Sequence, residues 1–209
     1  MYRVVTVARE YGSGGAPIAA KLAARLGWDL LDNTLITQVA QAANVDPRIC
    51  HERDERIDSW FHRLNKRTFG RGVFEGVAAA EVFDADAMVT LSRKMIEEAA
   101  RLGNTVIVGR AAQCILQGRS DTFHVFIYAP MDERIRRVRE HYGSGFASRA
   151  HIEEQDRIRS QYVQHYYGCD WRDSHLYDAL FSAALGDDTV VGAIIRAIGA
   201  KEEEPHHAG

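Results

Sequence analysis

Short apolar runs that alternate with helical patterns constrain the fold of this 209-residue chain more than any other feature. The first run, RVVTVA at residues 3–8, is rich in β-branched residues and ends at a glycine-rich turn, which is typical of a strand buried on both faces. Apolar residues at helical spacing follow as far as Leu26, and Gly27 is suited to end that helix. Because this alternation continues along the chain, we predict an α/β protein whose parallel sheet carries helices on both faces.

The pattern contains five predicted strands. After the first, they are WDLLD, NTVIVGR, TFHVFIYAP and YDALFSA. The chain from about residue 33 to 103 is mainly helical, and glycines interrupt it in NKRTFGRGVFEG, which we interpret as a mobile loop. A long polar helix is predicted at about 148–167 and a closing helix in DDTVVGAIIRAIG. We therefore predict one domain over residues 1–199, with a helical insertion at about 33–103 and a polar, disordered tail at 200–209.

Composition excludes several classes of protein. A formal net charge of -3 disfavours a protein held to nucleic acid by counterion release. The three cysteines are too few and too scattered for a disulfide framework, and neither they nor the nine histidines show the spacing of a zinc site. No stretch approaches the roughly 18 apolar residues of a membrane span, and the N-terminus lacks an apolar signal core. We expect a cytoplasmic protein with no protein-built metal site, and its oligomeric state stays open.

Arginine supplies most of the positive charge. Of 26 basic residues four are lysines, which leaves 22 arginines. Guanidinium groups suit bidentate phosphate contacts better than ammonium groups do, although a genomic bias toward arginine codons explains the count equally well.

The turn after the first strand looks like a phosphate-binding loop without its usual lysine. Such a loop has a glycine, four residues and then Gly-Lys-Ser/Thr. With the last glycine aligned to Gly15, Glu10 takes the position of the first glycine, Ala16 that of the lysine and Pro17 that of the hydroxyl. Some backbone features of an anion site at a helix N-terminus survive, in Gly12, Ser13, Gly14 and Gly15. Similar turns occur in α/β proteins that bind no phosphate, so both interpretations stay open here.

Several polar residues directly follow predicted strands. Ligands of parallel sheets bind at the carboxyl ends of the strands, so we expect Arg9, the glycine loop, Asp32 and Arg110 to converge on one edge. Arg9 is a better candidate than Lys21 to replace the missing lysine, because it directly follows the first strand. Two roles are open for Arg110: it binds a phosphate group, or it is a structural residue that pairs with Asp32.

A family resemblance extends well beyond the loop. The segments LGWDLLDNTLI, VIVGR and HVFIYAPMDERIRRV match segments of bacterial cytidylate kinases in order and spacing. Together with REYGSGG and QYVQHYYGCDWRDSHLYDALFSA, they resemble the cytidylate kinase-like family, P-loop proteins whose loop typically lacks the Walker lysine. The resemblance covers about residues 3–199. It implies a three-layer P-loop kinase fold with a five-stranded parallel sheet and a small helical lid and acceptor region.

The resemblance also implies roles for matching residues. The loop from Gly12 to Gly15 would hold nucleotide phosphates, and Asp32 and Arg110 would lie at the acceptor site. The helix at about 148–167 would be the lid, with Arg157 and Arg159 closing over the transferred phosphoryl group. The implied activity is that of a nucleoside monophosphate kinase. Its partners would be a nucleoside triphosphate and a small phosphorylated acceptor, with Mg²⁺ bound to ATP mainly through the phosphates, and with Asp32 or Glu10 as further ligands.

Three departures from the main cytidylate kinases leave the base open: Asn33 replaces a serine, Gln38 an arginine, and Ala111 an aspartate. The missing lysine and hydroxyl also keep a second function open, a nucleotide-binding module without turnover. A hydrolase finds no Ser-His-Asp or Cys-His motif context.

Each arginine also has an ordinary structural interpretation. Arg157 and Arg159 fit a solvated helix face. Four arginines lie in the helical pattern that follows the strand TFHVFIYAP, and we expect them to be surface charge: Arg134, Arg136, Arg137 and Arg139. We expect Lys21 to be solvated, and the stretch YYGCDW to be a packed connection rather than a base-binding platform.

Overall fold

The computed structural model describes residues 1–33, 36 and 85–200. The chain divides into two compact units, Met1–Leu31 with Ala99–Gly209, and Asp32–Glu98. The second unit overlaps the predicted helical insertion, most of which lies outside the described residues. The predicted mobile loop NKRTFGRGVFEG and the predicted tail beyond residue 200 lie outside them too. The single domain with an acceptor-side insertion therefore stays a prediction.

The predicted α/β architecture is confirmed. Its strands are β1 (Val4–Arg9), β2 (Asp29–Leu31), β3 (Thr105–Val108), β4 (Thr122–Tyr128) and β5 (Ala179–Ser182). They form one sheet in the order β2-β3-β1-β4-β5, and every pairing is parallel. The described helices are α1 (Gly15–Leu26), α2 (Ala85–Leu102), α3 (Ala112–Ile115), α4 (Met131–Tyr142), α5 (Arg149–Tyr167) and α6 (Asp187–Ile198).

The strand order places a crevice beside β1. Its connection through α1 runs to β2, beyond β3, whereas the connection of β3 through α3 runs to β4 on the other side of β1. Because such crossovers are right-handed, the two connections leave the sheet on opposite faces. The carboxyl ends of β1 and β3 therefore border the position where ligands bind in open parallel sheets.

The sheet has a separate apolar core on each face, because successive side chains of a strand point to opposite faces. One core joins Val5 and Val7 to Ile18 of α1 and Val190 of α6. The other core is rich in aromatic residues and includes the C-terminal half of α5. Its buried residues are Ala8, Ala111, Phe126, Val163, Trp171 and Tyr177. This arrangement gives the three layers of the predicted fold.

Helix ends follow their local sequence. Gly14 and Gly27, at the two ends of α1, have φ values of 87° and 61°, in the left-handed region that favours glycine. Ser148 caps α5, where its Oγ accepts a hydrogen bond from the backbone N–H of His151 at 3.2 Å. No helix in the described part of the chain is long and apolar enough to cross a membrane.

Candidate functional site

The loop after β1 is a tight turn leading into α1. The hydroxyl of Ser13 is buried and donates to the carbonyl of Glu10 at 2.9 Å, which closes the turn on itself. Among the described residues, no side chain caps the N-terminus of α1, where Gly14 stands at the cap position. The first-turn amides of α1 and the helix dipole therefore favour an anion at this place, and phosphate binding by the loop stays a prediction.

Two arginine side chains lie directly against the loop glycines. A Cβ atom on Gly14 would collide with Nη1 of Arg137, and a Cβ on Gly15 would stand 2.5 Å from the Cβ of Arg9. Glycine at position 15 therefore lets Arg9 pass close to the loop backbone, and glycine at position 14 leaves the space that the guanidinium of Arg137 occupies. The expectation that Arg137 is merely surface charge is wrong, because its guanidinium packs on the loop.

Arg137 is held in this place by its neighbours. Its Nε donates to Glu133 at 2.7 Å and its Nη2 to the carbonyl of Ala183 at 3.3 Å, while Nη1 lies 3.5 Å from Asp187. The contact with Arg136 and Arg137 lowers the pKa of Glu133 to about 2. These contacts orient a cation beside a loop that has no lysine of its own.

Arg9 bridges the two turns at the carboxyl edge of the sheet. From the end of β1 its side chain passes Gly15, and its guanidinium lies against the Cα of Gly109 after β3. The next residue, Arg110, has a φ of 53°, and Ala111 has a φ of 56°. The backbone N–H of Ala112 donates to the carbonyl of Gly109 at 3.0 Å, which makes these residues the centre of a tight turn.

The structure thus brings Arg9, the glycine loop and the turn of Arg110 to one edge, as predicted. Left-handed conformations in residues other than glycine are uncommon and are found often at functional sites. Asp32 follows β2 directly in the chain and is the first residue of the second unit. Its acceptor role stays a prediction, as do the roles of the other predicted site residues.

A buried ion pair anchors the loop. Nη2 of Arg134 donates to Asp156 at 2.5 Å, with side chains only 4% and 3% exposed. The backbone of Tyr11 is held by both residues: its carbonyl accepts from Nε of Arg134 at 2.7 Å, and its N–H donates to Asp156 at 2.8 Å. Helices α4 and α5 therefore fix the residue that precedes Gly12.

Sequence reasoning missed this pair. We expected Arg134 to be surface charge, and that expectation is wrong because its guanidinium is buried against the loop. A signal was available, since Arg134 is four residues before the buried Val138 and Asp156 four after the buried Ile152. Charged residues in phase with an apolar stripe face the core and need partners there.

The two predicted lid arginines have different surroundings. Nη1 of Arg159 donates to the carbonyl of Arg9, so α5 places this residue at the end of β1. Burial lowers the pKa of Arg159, and the charge of Asp156 opposes that shift. Arg157 is 56% exposed and pairs with Glu154 at 2.6 Å on the same helix. The structure thus brings Arg159, and not Arg157, to the loop.

The YYGCDW stretch is a packed connection, as expected. Trp171 is 1% exposed and its ring centroid lies 5.3 Å from that of Phe126. The hydroxyl of Tyr177 donates to the carbonyl of Trp171 at 2.5 Å. Of the other ordinary interpretations, Lys21 pairs with Asp188 on the surface at 3.0 Å.

The residues present fit a nucleotide-borne Mg²⁺ better than a protein-held one. Ala16 and Pro17 offer no hydroxyl for the metal. Glu10 accepts from the backbone N–H of Ala129 at 3.3 Å and lies 3.4 Å from Arg134, so its carboxylate is already engaged. Within the described ranges, no cluster of His, Cys, Asp or Glu could hold a metal ion.

Solved structures with this fold include several kinases. An uncharacterized protein from Eubacterium ventriosum ATCC 27560 matches with a TM-score of 0.68 and 23% identity, over 95% of this chain and 99% of that chain. The tunicamycin resistance protein of Deinococcus radiodurans matches with a TM-score of 0.53 and 16% identity, over 98% of this chain and 100% of that chain. Shikimate kinase from Bacteroides thetaiotaomicron matches with a TM-score of 0.51 and 14% identity, over 94% of this chain and 98% of that chain. At sequence identities this low, the structural similarity shows that these proteins share a fold with this chain.

The sequence itself gives the family. No curated protein matches the chain. Residues 4–184, which include the glycine loop, the Arg110 turn and α5, match the cytidylate kinase-like family. The chain therefore belongs to the cytidylate kinase-like family, with the fold of a P-loop kinase.

Proposed function

We propose that this protein is a phosphotransferase that moves the γ-phosphoryl group of a nucleoside triphosphate to a nucleoside monophosphate or a similar small acceptor. The observation that carries the proposal is the placement of arginines around the glycine loop: Arg9 and Arg137 lie against its glycines, and Arg159 contacts the end of β1. Phosphoryl transfer needs aligned substrates and neutralised oxygens rather than covalent help from the protein.

The loop and the arginines divide this work. Amides at Gly12 to Gly15 and the N-terminus of α1 would bind the phosphates of the triphosphate. Arg9 or Arg137 would supply the charge of the missing lysine, and Arg159 would neutralise the transferred group. Mg²⁺ would be held mainly by the nucleotide phosphates and would supply positive charge that offsets the negative charge on the transferred group. Arg157 would first have to exchange Glu154 for a phosphate.

Acceptor binding is the least defined part of the proposal. Arg110 stands at the carboxyl end of β3, beside the guanidinium of Arg9, which suits a clamp on the acceptor phosphate. Asp32 would contact the same acceptor. Asn33, Gln38 and Ala111 depart from the main cytidylate kinases, so the proposal does not fix the base.

A nucleotide-binding module without turnover is the second candidate. The substitution of Ala16 and Pro17 for the lysine and the hydroxyl favours it, because each lost charged contact costs a few kcal/mol of transition-state stabilisation. Both candidates bind a triphosphate, so binding alone does not separate them.

Product formation separates the two candidates. The purified protein is incubated with Mg-ATP and each nucleoside monophosphate in turn, and products are identified by mass. We expect a diphosphate product from at least one acceptor. Binding of Mg-ATP without any product would favour the module.

Arg110→Ala tests the acceptor site. We expect monophosphate binding to weaken by about 1.5–3 kcal/mol, the range for a hydrogen bond to a charged group, while triphosphate binding stays nearly unchanged. Calorimetry with each ligand measures both. Unchanged monophosphate affinity would remove Arg110 from the acceptor site.

A further inference from the structure

Arg172 lies next to the residues described above and has no role in the proposal so far. Its side chain is 57% exposed, and Nη2 lies 3.4 Å from Asp156 and 4.0 Å from Glu10. Both distances exceed the 2.7–2.9 Å of a strong charge-assisted hydrogen bond. The guanidinium is therefore near two carboxylates but is bound tightly by neither, and much of it faces solvent.

A rigid aromatic platform fixes where Arg172 stands. Its guanidinium carbon lies 5.4 Å from the centroid of the Trp171 ring, a distance typical of a cation–π contact. Arg159 lies 5.8 Å from the same ring. Because Trp171 is buried among Phe126 and Tyr177, the ring holds both guanidinium groups in place.

The local charges favour an anion. Two carboxylates, Glu10 and Asp156, face the guanidinium groups of Arg134, Arg159 and Arg172. Within this group of five side chains the formal charge is +1. Arg134 and Asp156 are buried partners, so the positive charge that solvent can reach is that of Arg172, which is 57% exposed, and of the partly buried Arg159.

We propose that Arg172 binds phosphate oxygens of the substrate and forms, with Arg159, a two-guanidinium clamp built on Trp171. The inference deepens the proposed function, on which it rests for the identity of the substrate. A phosphate at hydrogen-bonding distance would replace the long contacts of Arg172 with Asp156 and Glu10. Giving them up costs little, because the contacts are long, the Arg172 side chain is 57% exposed, and Asp156 keeps its 2.5 Å pair with Arg134. The phosphate belongs either to the triphosphate or to the acceptor.

Three probes distinguish these sources, each titrated calorimetrically in the presence of Mg²⁺: inorganic tripolyphosphate, ATP and a nucleoside monophosphate. Arg172→Gln is compared with Arg136→Gln, a matched control that is 53% exposed and pairs with Glu133 and Glu140. We expect Arg172→Gln to bind either tripolyphosphate and ATP or the monophosphate about 10- to 100-fold more weakly than wild type, as for the loss of a hydrogen bond to a charged group. The control should stay within about twofold. An equal loss for ATP assigns the contact to the donor, and a loss for the monophosphate alone assigns it to the acceptor.

Wild-type affinity of Arg172→Gln for all three probes would overturn the inference, and product formation by wild type would then leave the proposed function standing. Tripolyphosphate binding that depends on Arg172 in a protein that forms no product would support the clamp and count against the phosphotransferase. Absence of binding by wild type to all three probes would overturn both. If Arg172→Gln fails to fold, Arg172→Lys keeps the charge but loses the bidentate geometry. It should bind several-fold more weakly, and wild-type affinity would again overturn the inference.

Discussion

Arginines two residues apart on α4 and α5 occupy opposite environments. On α4, Arg134 is 4% exposed and holds the loop, whereas Arg136 is 53% exposed and pairs with Glu133 and Glu140. On α5, Arg159 donates to the carbonyl of Arg9, whereas Arg157 pairs with Glu154 toward solvent. The inner arginines bind backbone oxygens of β1 and its loop, and the outer ones bind carboxylates of their own helix.

This difference shows that the number of arginines in a helix does not indicate which of them are buried. Their position relative to the apolar stripe of the helix does. An outer ion pair on a helix is screened by water and contributes a few tenths of a kcal/mol. An inner guanidinium is expensive to bury and has to be matched by carboxylates and carbonyls. Three predictions compare the two groups, in order of decreasing effect.

Removal of an inner arginine should give the largest loss of stability. Arg134→Ala strands the buried carboxylate of Asp156, and we expect a loss of about 3–5 kcal/mol in the free energy of unfolding. Arg136→Ala removes only exposed pairs and should leave the free energy of unfolding nearly unchanged. Urea denaturation of both variants measures the difference. Similar losses would show that the Arg134 pair is not buried in solution.

A methyl group under the guanidinium of Arg137 should have an intermediate effect. Gly14 and Gly118 have φ values of 87° and 81°, so alanine at either position should cost about 1–2 kcal/mol in backbone strain. At Gly14 the new Cβ meets Arg137, whereas in the described part of the chain nothing lies within 4 Å of a Cβ on Gly118. Gly14→Ala should therefore be the less stable variant in urea and should also lose affinity for Mg-ATP by calorimetry. Equal stability and intact Mg-ATP binding in both would argue against the packing of Arg137 on the loop.

The pH dependence of the ion pairs of Glu133 should be the smallest effect. Arg136 and Arg137 lower the pKa of Glu133 from 4.5 to about 2, so folding favours its charged form. The resulting stability is present above pH 4.5 and is lost as the pH falls toward 2. In Glu133→Gln the loss of unfolding free energy between pH 5 and pH 3 should be slightly smaller than in wild type. High salt should shrink the difference, because these charges are partly exposed. A difference of the opposite sign would contradict the assignment.

The sequence was sufficient for the fold because the strands are short, apolar and regularly placed. β1, β3 and β4 are β-branched or aromatic runs that end at polar turns, and α1 ends at Gly27, where a left-handed residue is needed. The long helix α5 was predicted from its polar composition. These are local signals, which act within a few residues and need no knowledge of the partner element.

The candidate site was only partly predictable because its contacts join distant segments. Strand ends located Arg9 and Arg110, since topology alone places them at one edge. Arg134 meets Tyr11 across 123 residues, and Tyr11 meets Asp156 across 145. Nothing in the local pattern of α4 or α5 specifies these partners. The helical phase of Arg134 and Asp156 could have shown that both are buried, but not what they hold.

Our central claim is that inner arginines supply the charge that the loop lacks for phosphoryl transfer. Its most direct test is the rate of Mg-ATP-dependent product formation in Arg159→Gln, compared with Arg149→Gln on the same helix, which is 62% exposed and pairs with Glu153. With the acceptor that gives product in wild type, we expect Arg159→Gln to lower kcat by about 10²–10³-fold, as for loss of a preorganised transition-state contact. Arg149→Gln should stay within about twofold of wild type. Equal rates in the two folded variants would contradict the claim.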